Sequence, residues 1–419
     1  MSIWSELGAM TSVQRKVVFA SFLGWTLDAF DYFVLIVVMK HIAADFKVEV
    51  PSVAFAVFLT LAMRPLGAFV FGMLADKFGR RPILMIDILL FSAFELASAF
   101  APNLTALLVL RALFGFAMGG EWGLGASLTM ESIPEKTRGF VSGLLQQGYA
   151  FGNLLAAFLF WALFDKIGWR GMFIVGFVPA LLVVYIRAHV PESPVWEHTR
   201  AHAPPGGHAR RGLEAMRGLW GRALFMIALM ALFNFFSHGT QDLYTTFLQV
   251  ERGFDTDLAG KLSIVGPLGA ICGGVVFGAL SEHIGRKRAI VIAALLALPA
   301  VPLWAFSATP LLLGVGAFAI QFMVQGAWGV VPVHLNELSP DAVRATMPGL
   351  TYQIGNFISS GTPPLLAMLA ERNGKQYGLT MAIFIVGVAL ALALVSALGP
   401  EAKGKKFGVA ALQAAPGEA

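Results

Sequence analysis

The sequence predicts an all-α membrane protein: twelve transmembrane helices arranged as two six-helix parallel repeats. Three observations carry this. Hydrophobic residues make up 57% of the 419 positions and charged ones only 13%, against roughly 25% charged in soluble domains, and the mean hydropathy is +0.73. The apolar residues gather into runs of about 20, the length that crosses a bilayer as a helix. The third observation is internal repetition. Gly72-Met73-Leu74-Ala75-Asp76-Lys77-Phe78-Gly79-Arg80-Arg81 returns as Gly278-Ala279-Leu280-Ser281-Glu282-His283-Ile284-Gly285-Arg286-Lys287, and the same offset of 206 takes Trp122 to Trp328, Glu131 to Glu337, Arg138 to Arg344 and Gln147 to Gln353. Parallel repeats of this kind belong to transporters that seat a solute between halves near the membrane midplane.

Met1 to Lys16 is polar, and the first apolar run, Val17 to Met39, is too long for a signal-peptide core and lacks a cleavage site, so it stays as the first span. The spans are expected near 17–40, 52–76, 82–101, 104–130, 139–164 and 170–190, then 219–249, 258–282, 289–307, 309–335, 344–370 and 377–399. Residues 1–190 form one bundle and 218–400 the other; 191–217, with Pro204, Pro205, Gly206 and Gly207, reads as the loop between them, and 401–419 as a polar tail. Most of the 30 lysines and arginines fall in the terminal segments and in loops after even-numbered spans. That excess marks the cytoplasmic side, which puts both termini and the central loop inside, in a plasma (inner) membrane.

The basic pI of 9.3 is explained by those loops, and no basic stripe of nucleic-acid-binding form is present. Cys272, the single cysteine, has no partner for a disulfide and reads as a packing residue. There is no phosphate-binding glycine loop, metal-ligand cluster or nucleophile with its base, so neither an enzyme nor a cofactor or metal is expected. Transport would draw on an ion gradient, with a small organic anion and a proton as partners and the carrier acting as a monomer. A sensor with the same fold would need a signalling domain, for which the central loop and tail are too short.

Function should lie where polar side chains interrupt apolar runs, because an Asp at mid-membrane costs on the order of 2.5 to 3.5 kcal/mol. In Asn234 to Thr246, helical turning places Asn234, His238, Gln241, Asp242 and Thr245 on one stripe. His238 and Asp242 are i and i+4, and an imidazole beside a carboxylate can change charge near neutral pH. Asp28 and Asp31 share a face of the first span; two such neighbours resist joint ionisation, so one of them can carry a proton, or else pair with an arginine. Arg64 can clamp a solute carboxylate or hold an acid. Glu121 lacks a mate in the second half, where Ala327 stands, which hints at coupling. Glu95 reads as a structural hydrogen-bonding group, and Gln147 and Gln353 as amides that line a cavity or join helices.

The repeated Gly-x-Leu-Ala-Asp-x-x-Gly-Arg-Arg segment and Arg111-x-x-x-Gly115 resemble signatures of the major facilitator superfamily. There the resemblance implies a conformational latch of Gly72, Asp76, Gly79, Arg80, Arg81 and Arg111, and Asp76 can pair with Arg80 and Arg81 across its loop. Asn234-x-x-Ser237-His238-x-Thr240-Gln241-Asp242-x-x-x-Thr246 is similar at every defined position to the signature of Jen-type lactate and pyruvate proton symporters, within the sialate-proton symporter group. That resemblance implies symport of a small monocarboxylate, with sialate or another organic acid as the alternative. It also implies that Asn234, His238 and Asp242 line the solute path, that His238 and Asp242 handle the proton, and that Gln353 meets the substrate; Gln241, on the same stripe, is a further candidate for substrate binding.

Overall fold

The computed structural model describes residue 8, residues 10–201 and residues 219–407. Pro204, Pro205, Gly206 and Gly207 of the central loop and the end of the tail lie outside them. Among the described residues every regular element is a helix, the form in which a single segment satisfies its own backbone inside lipid.

The first half runs α1 (Ser12–Phe46), α2 (Val50–Phe78), α3 (Arg80–Ala99), α4 (Leu104–Met118), α5 (Glu121–Ser132), α6 (Arg138–Gln146), α7 (Gly148–Val175) and α8 (Ala180–His189). A short helix α9 (Pro194–Ala201) follows. The second half runs α10 (Trp220–Gln241), α11 (Tyr244–Val250), α12 (Thr256–Ile284), α13 (Arg286–Ala297), α14 (Ala300–Phe306), α15 (Pro310–Gly329), α16 (Val331–Leu338), α17 (Thr346–Ser359), α18 (Thr362–Arg372) and α19 (Tyr377–Leu398). By length and apolarity, nine described helical stretches qualify as membrane spans, or ten with the bent pair α13 and α14. The stretch Glu135–Val175 breaks at Gly168, whose φ of 63° turns the chain into the sixth span, and α17 with α18 makes the eleventh. Twelve spans result.

The repeat is visible in the packing. A Cβ on Gly67 would lie 1.8 Å from the Phe116 carbonyl oxygen, and one on Gly273 would lie 1.9 Å from that of Phe322. Both pairs are mates by the 206 offset, so α2 crosses α4 at the same point, and as closely, as α12 crosses α15. Only glycine permits that approach.

The two halves meet at one end of the bundle through a second symmetric pair of contacts. Asp76, in the last turn of α2, accepts hydrogen bonds from the backbone of Ala345 (3.1 Å) and Thr346 (3.2 Å), and from the Thr346 hydroxyl (2.6 Å). Its mate Glu282 accepts from the Gly139 amide, and Gly139 is the mate of Ala345. Each half thus offers a carboxylate to the exposed amides that begin a helix of the other, where the helix dipole favours negative charge. Gly72 lies against Thr346 and Gly278 against Gly139. The expected pairing of Asp76 with both Arg80 and Arg81 is corrected here. Arg80 bonds Asp76 at 3.1 Å and Glu131 at 3.2 Å, whereas Arg81 donates to the Arg187 carbonyl at 2.6 Å. Gly79, at φ 113°, ends α2 and lets the chain turn into α3.

The chain beyond α19 closes the same end. Phe407 is buried between the guanidinium of Arg138, 3.7 Å from its ring centre, and that of Arg344, 3.8 Å away. Those arginines are 206-residue mates from opposite halves. Arg138 also donates to the Lys405 carbonyl at 3.0 Å, and the Lys405 ammonium donates to that of Ser339 at 3.3 Å.

Candidate functional site

Residues of several spans from both halves surround one chamber. The chain stays helical through the junctions α6/α7, α10/α11 and α15/α16, which place Gln147, Asp242 and Trp328 at or beside helix ends. A cavity of about 80 Å³ is lined by Tyr32, Arg64 and Tyr149 from the first half and by Asn234, His238, Gln241, Asp242, Tyr352 and Asn356 from the second. It adjoins a larger lobe of about 230 Å³ along Gln146, Gln147, Asn153, Gln241, Thr245, Gln321 and Gln325. The stripe expected on the seventh span therefore faces this space over its whole length.

Arg64 pairs with the buried Asp28 at 3.2 Å and stands over the Tyr32 ring, 5.6 Å from its centre. Pro65 follows it inside α2; lacking an N–H, it offers no helical donor to the carbonyl of Leu61, which lines the cavity. Across the chamber, His238 Nδ1 lies 2.8 Å from Asp242 Oδ2, with both side chains about one-third exposed. Asn234 donates Nδ2 to the Met230 carbonyl at 2.8 Å, which commits one of its two donors to its own helix.

The other expected residues sit away from the cavity wall. Asp31 is buried with neither oxygen hydrogen-bonded, and Glu121 lines a small gap with Ser21, Trp25, Trp122 and Pro332. Gln353 is buried with both amide atoms unpartnered and does not reach the cavity; its neighbours Tyr352 and Asn356 do. Arg111 lies away from the contacts between the halves. It is fully buried inside the first half, 2.7 Å from Glu95 and 2.7 Å from the Ser98 hydroxyl, so the structural readings of Arg111 and Glu95 belong together.

Sequence reading missed the three tyrosines, Asn356, and the amides Gln146, Gln321 and Gln325. The spacing of Tyr352 and Asn356, i and i+4, was the available signal for the eleventh span. Toward the latch the chamber is floored by aromatic rings: Tyr352 lies 4.6 Å from Trp122 and 5.8 Å from its mate Trp328. Two more acids anchor the latch loops. Glu192 accepts from the amides of Arg80 and Arg81, and Glu401 from those of Arg286 and Lys287. Each follows a proline at the end of its half, a repeat that the 206 offset does not align.

A polar chamber shared by two repeated halves, in a bundle of membrane spans closed at one end by contacts between those halves, defines a multi-pass membrane transporter. The chain belongs to the Major Facilitator Superfamily, whose family description matches residues 21–363. It is 28% identical over 401 residues to the sialic acid transporter NanX of Escherichia coli, covering 94% of this chain and 96% of that one. It is also 28% identical over 389 residues to a carboxylic acid transporter protein homolog of Saccharomyces cerevisiae, covering 88% of this chain and 63% of the yeast protein. The structure of the proton:xylose symporter XylE superposes with a TM-score of 0.77 at 20% identity, over 96% of this chain and 99% of that one, a likeness of fold.

Proposed function

We propose that this carrier moves a small monocarboxylate, of the lactate or pyruvate kind, together with a proton by alternating access. The observation that carries the reading is one cavity bounded by Arg64, already paired with Asp28, and by the His238–Asp242 pair. The entering carboxylate competes with Asp28 for the guanidinium. Two unit negative charges about 4 Å apart repel by roughly 4 kcal/mol at an effective dielectric constant of 20, while taking up a proton costs about 1.4 kcal/mol for each pH unit above the acid's own pKa. Anion and proton therefore bind better together than the anion alone. Asp28 and the His238–Asp242 pair are the proton-handling groups; Asn234 and Gln241 orient the solute. Asp31 and Glu121, buried near Asp28, serve as a reserve of ionisable groups behind it.

In this reading the bundles 1–190 and 218–400 rock about the cavity, with 191–217 joining them. The latch end and both termini are cytoplasmic, the membrane is the plasma membrane, and the monomer is the working unit. The conformation is then closed inward, and the larger lobe leads away from the latch. That lobe, with the likeness to NanX, favours a second reading: proton symport of sialate or another larger organic acid.

Proteoliposomes with an inward proton gradient should accumulate labelled lactate above its equilibrium level, and Asp242→Asn or His238→Ala should cut that accumulation at least about tenfold. Accumulation of sialate without lactate would move the assignment to the second reading. Accumulation of neither acid would remove both.

A further inference from the structure

Gln321 is buried on α15 and has no like mate, since the 206 offset falls on Gly115. It is the middle of a hydrogen-bonded chain that ends in the cavity. The Thr240 hydroxyl lies 3.0 Å from the carbonyl oxygens of Phe236 and Ser237 and donates there, so it accepts from Gln321 Nε2, 2.9 Å away. With its nitrogen so committed, Gln321 turns Oε1 toward Gln241, which donates Nε2 to it at 3.0 Å. The second hydrogen of that nitrogen goes to the Ser237 hydroxyl, also at 3.0 Å. An amide has two donor hydrogens, and both are spent. What Gln241 presents to the solute is its carbonyl oxygen, an acceptor.

We infer that Gln321 is a positioning residue that fixes the Gln241 amide with its oxygen toward the solute, and so makes the carrier prefer 2-hydroxy acids to 2-oxo acids. This rests on the monocarboxylate reading above. A hydroxyl beside the bound carboxylate donates to Gln241 Oε1, whereas an oxo group sets oxygen against oxygen and leaves both unsatisfied. The tyrosine hydroxyls of the cavity rotate to serve either solute, so they do not discriminate. One hydrogen bond gained against one lost is worth about tenfold in affinity.

The test measures dissociation constants by calorimetry on the purified full-length carrier at one pH, for the pairs lactate/pyruvate and 2-hydroxybutyrate/2-oxobutyrate. The wild type should bind the hydroxy member of each pair about tenfold more tightly. Gln321→Leu frees Gln241 to turn over, and the ratio should fall to near one. Gln321→Glu should restore it, because a protonated carboxyl still donates to Thr240 and accepts from Gln241. Thr240→Val, a change of similar shape, breaks the same chain and decides the matter if Gln321→Leu does not fold. A wild type without preference, a preference for the oxo acids, or a ratio unmoved by breaking the chain would each overturn the inference alone. Failure of the wild type to bind any of the four acids would instead overturn the monocarboxylate reading, and this inference with it.

Discussion

At the scale of single residues, the Arg64–Asp28 pair is the feature on which stability and transport bear together. Neither member is dispensable by itself. Removing one partner of a buried pair leaves an uncompensated charge and costs about 3 to 5 kcal/mol, whereas replacing both with apolar groups is often neutral. Arg64→Met should therefore lower the thermal stability of the detergent-solubilised carrier sharply, and Arg64→Met with Asp28→Leu should recover most of the loss while remaining inactive in uptake. A double variant no more stable than the single one would show that the pair is not the link between these two spans. Both residues were legible in the sequence, because a charged side chain within an apolar run has few places to go. The tyrosines were not, since a tyrosine in a span serves packing as readily as a solute. Gln353 is buried beside the cavity-lining Tyr352, because adjacent helical positions differ by about 100°.

At the scale of elements, the contact between the halves is a set of carboxylates capping helix starts. The repeated loop motif was legible in the sequence, but its partners in the opposite half were not, because backbone amides carry no letter in a sequence. The same holds for Glu192 and Glu401, which have similar partners but pKa values shifted in opposite directions. Burial pushes the Glu192 carboxyl above its ordinary 4.5 despite the amides of Ser193, Arg80 and Arg81. For Glu401, burial would act the same way, but the amides of Lys403, Arg286 and Ala402, with His334 nearby, outweigh it and hold the carboxyl below 4.5. A lowered folded-state pKa gives stability that is present above 4.5 and lost as pH falls through the folded value; a raised one means stability is lost as pH rises from 4.5 to the folded value. Relative to wild type, Glu401→Gln should therefore be less stable near neutrality, with the gap closing on acidification. Glu192→Gln should gain on wild type as pH rises through the titration. Thermal unfolding between about pH 3.5 and 7 checks both, and parallel profiles for the two variants would contradict the assignment.

At the scale of the whole molecule, the 206-residue repeat told the most, giving two bundles and their shared axis before any coordinate. It could not reveal that Phe407, outside the repeat, lies between the repeated arginines Arg138 and Arg344. That ring contacts both halves only while they are together at the latch end. Two buried cation–π contacts are worth on the order of 2 kcal/mol, so Phe407→Ala should shift the balance toward the state open at that end by more than about tenfold. Distances between spin labels on the two halves would show this as a larger population of the separated state, and an unchanged distribution would contradict it.

The central claim is that a carboxylate and a proton occupy the chamber between the halves and cross together. It is tested most directly with a pH electrode in a weakly buffered suspension of proteoliposomes, to which lactate is added with no other gradient present. The account predicts alkalinisation of the outer medium as protons enter with the anion, abolished by Asp242→Asn. Uptake of labelled lactate by the same vesicles with no movement of pH would contradict it.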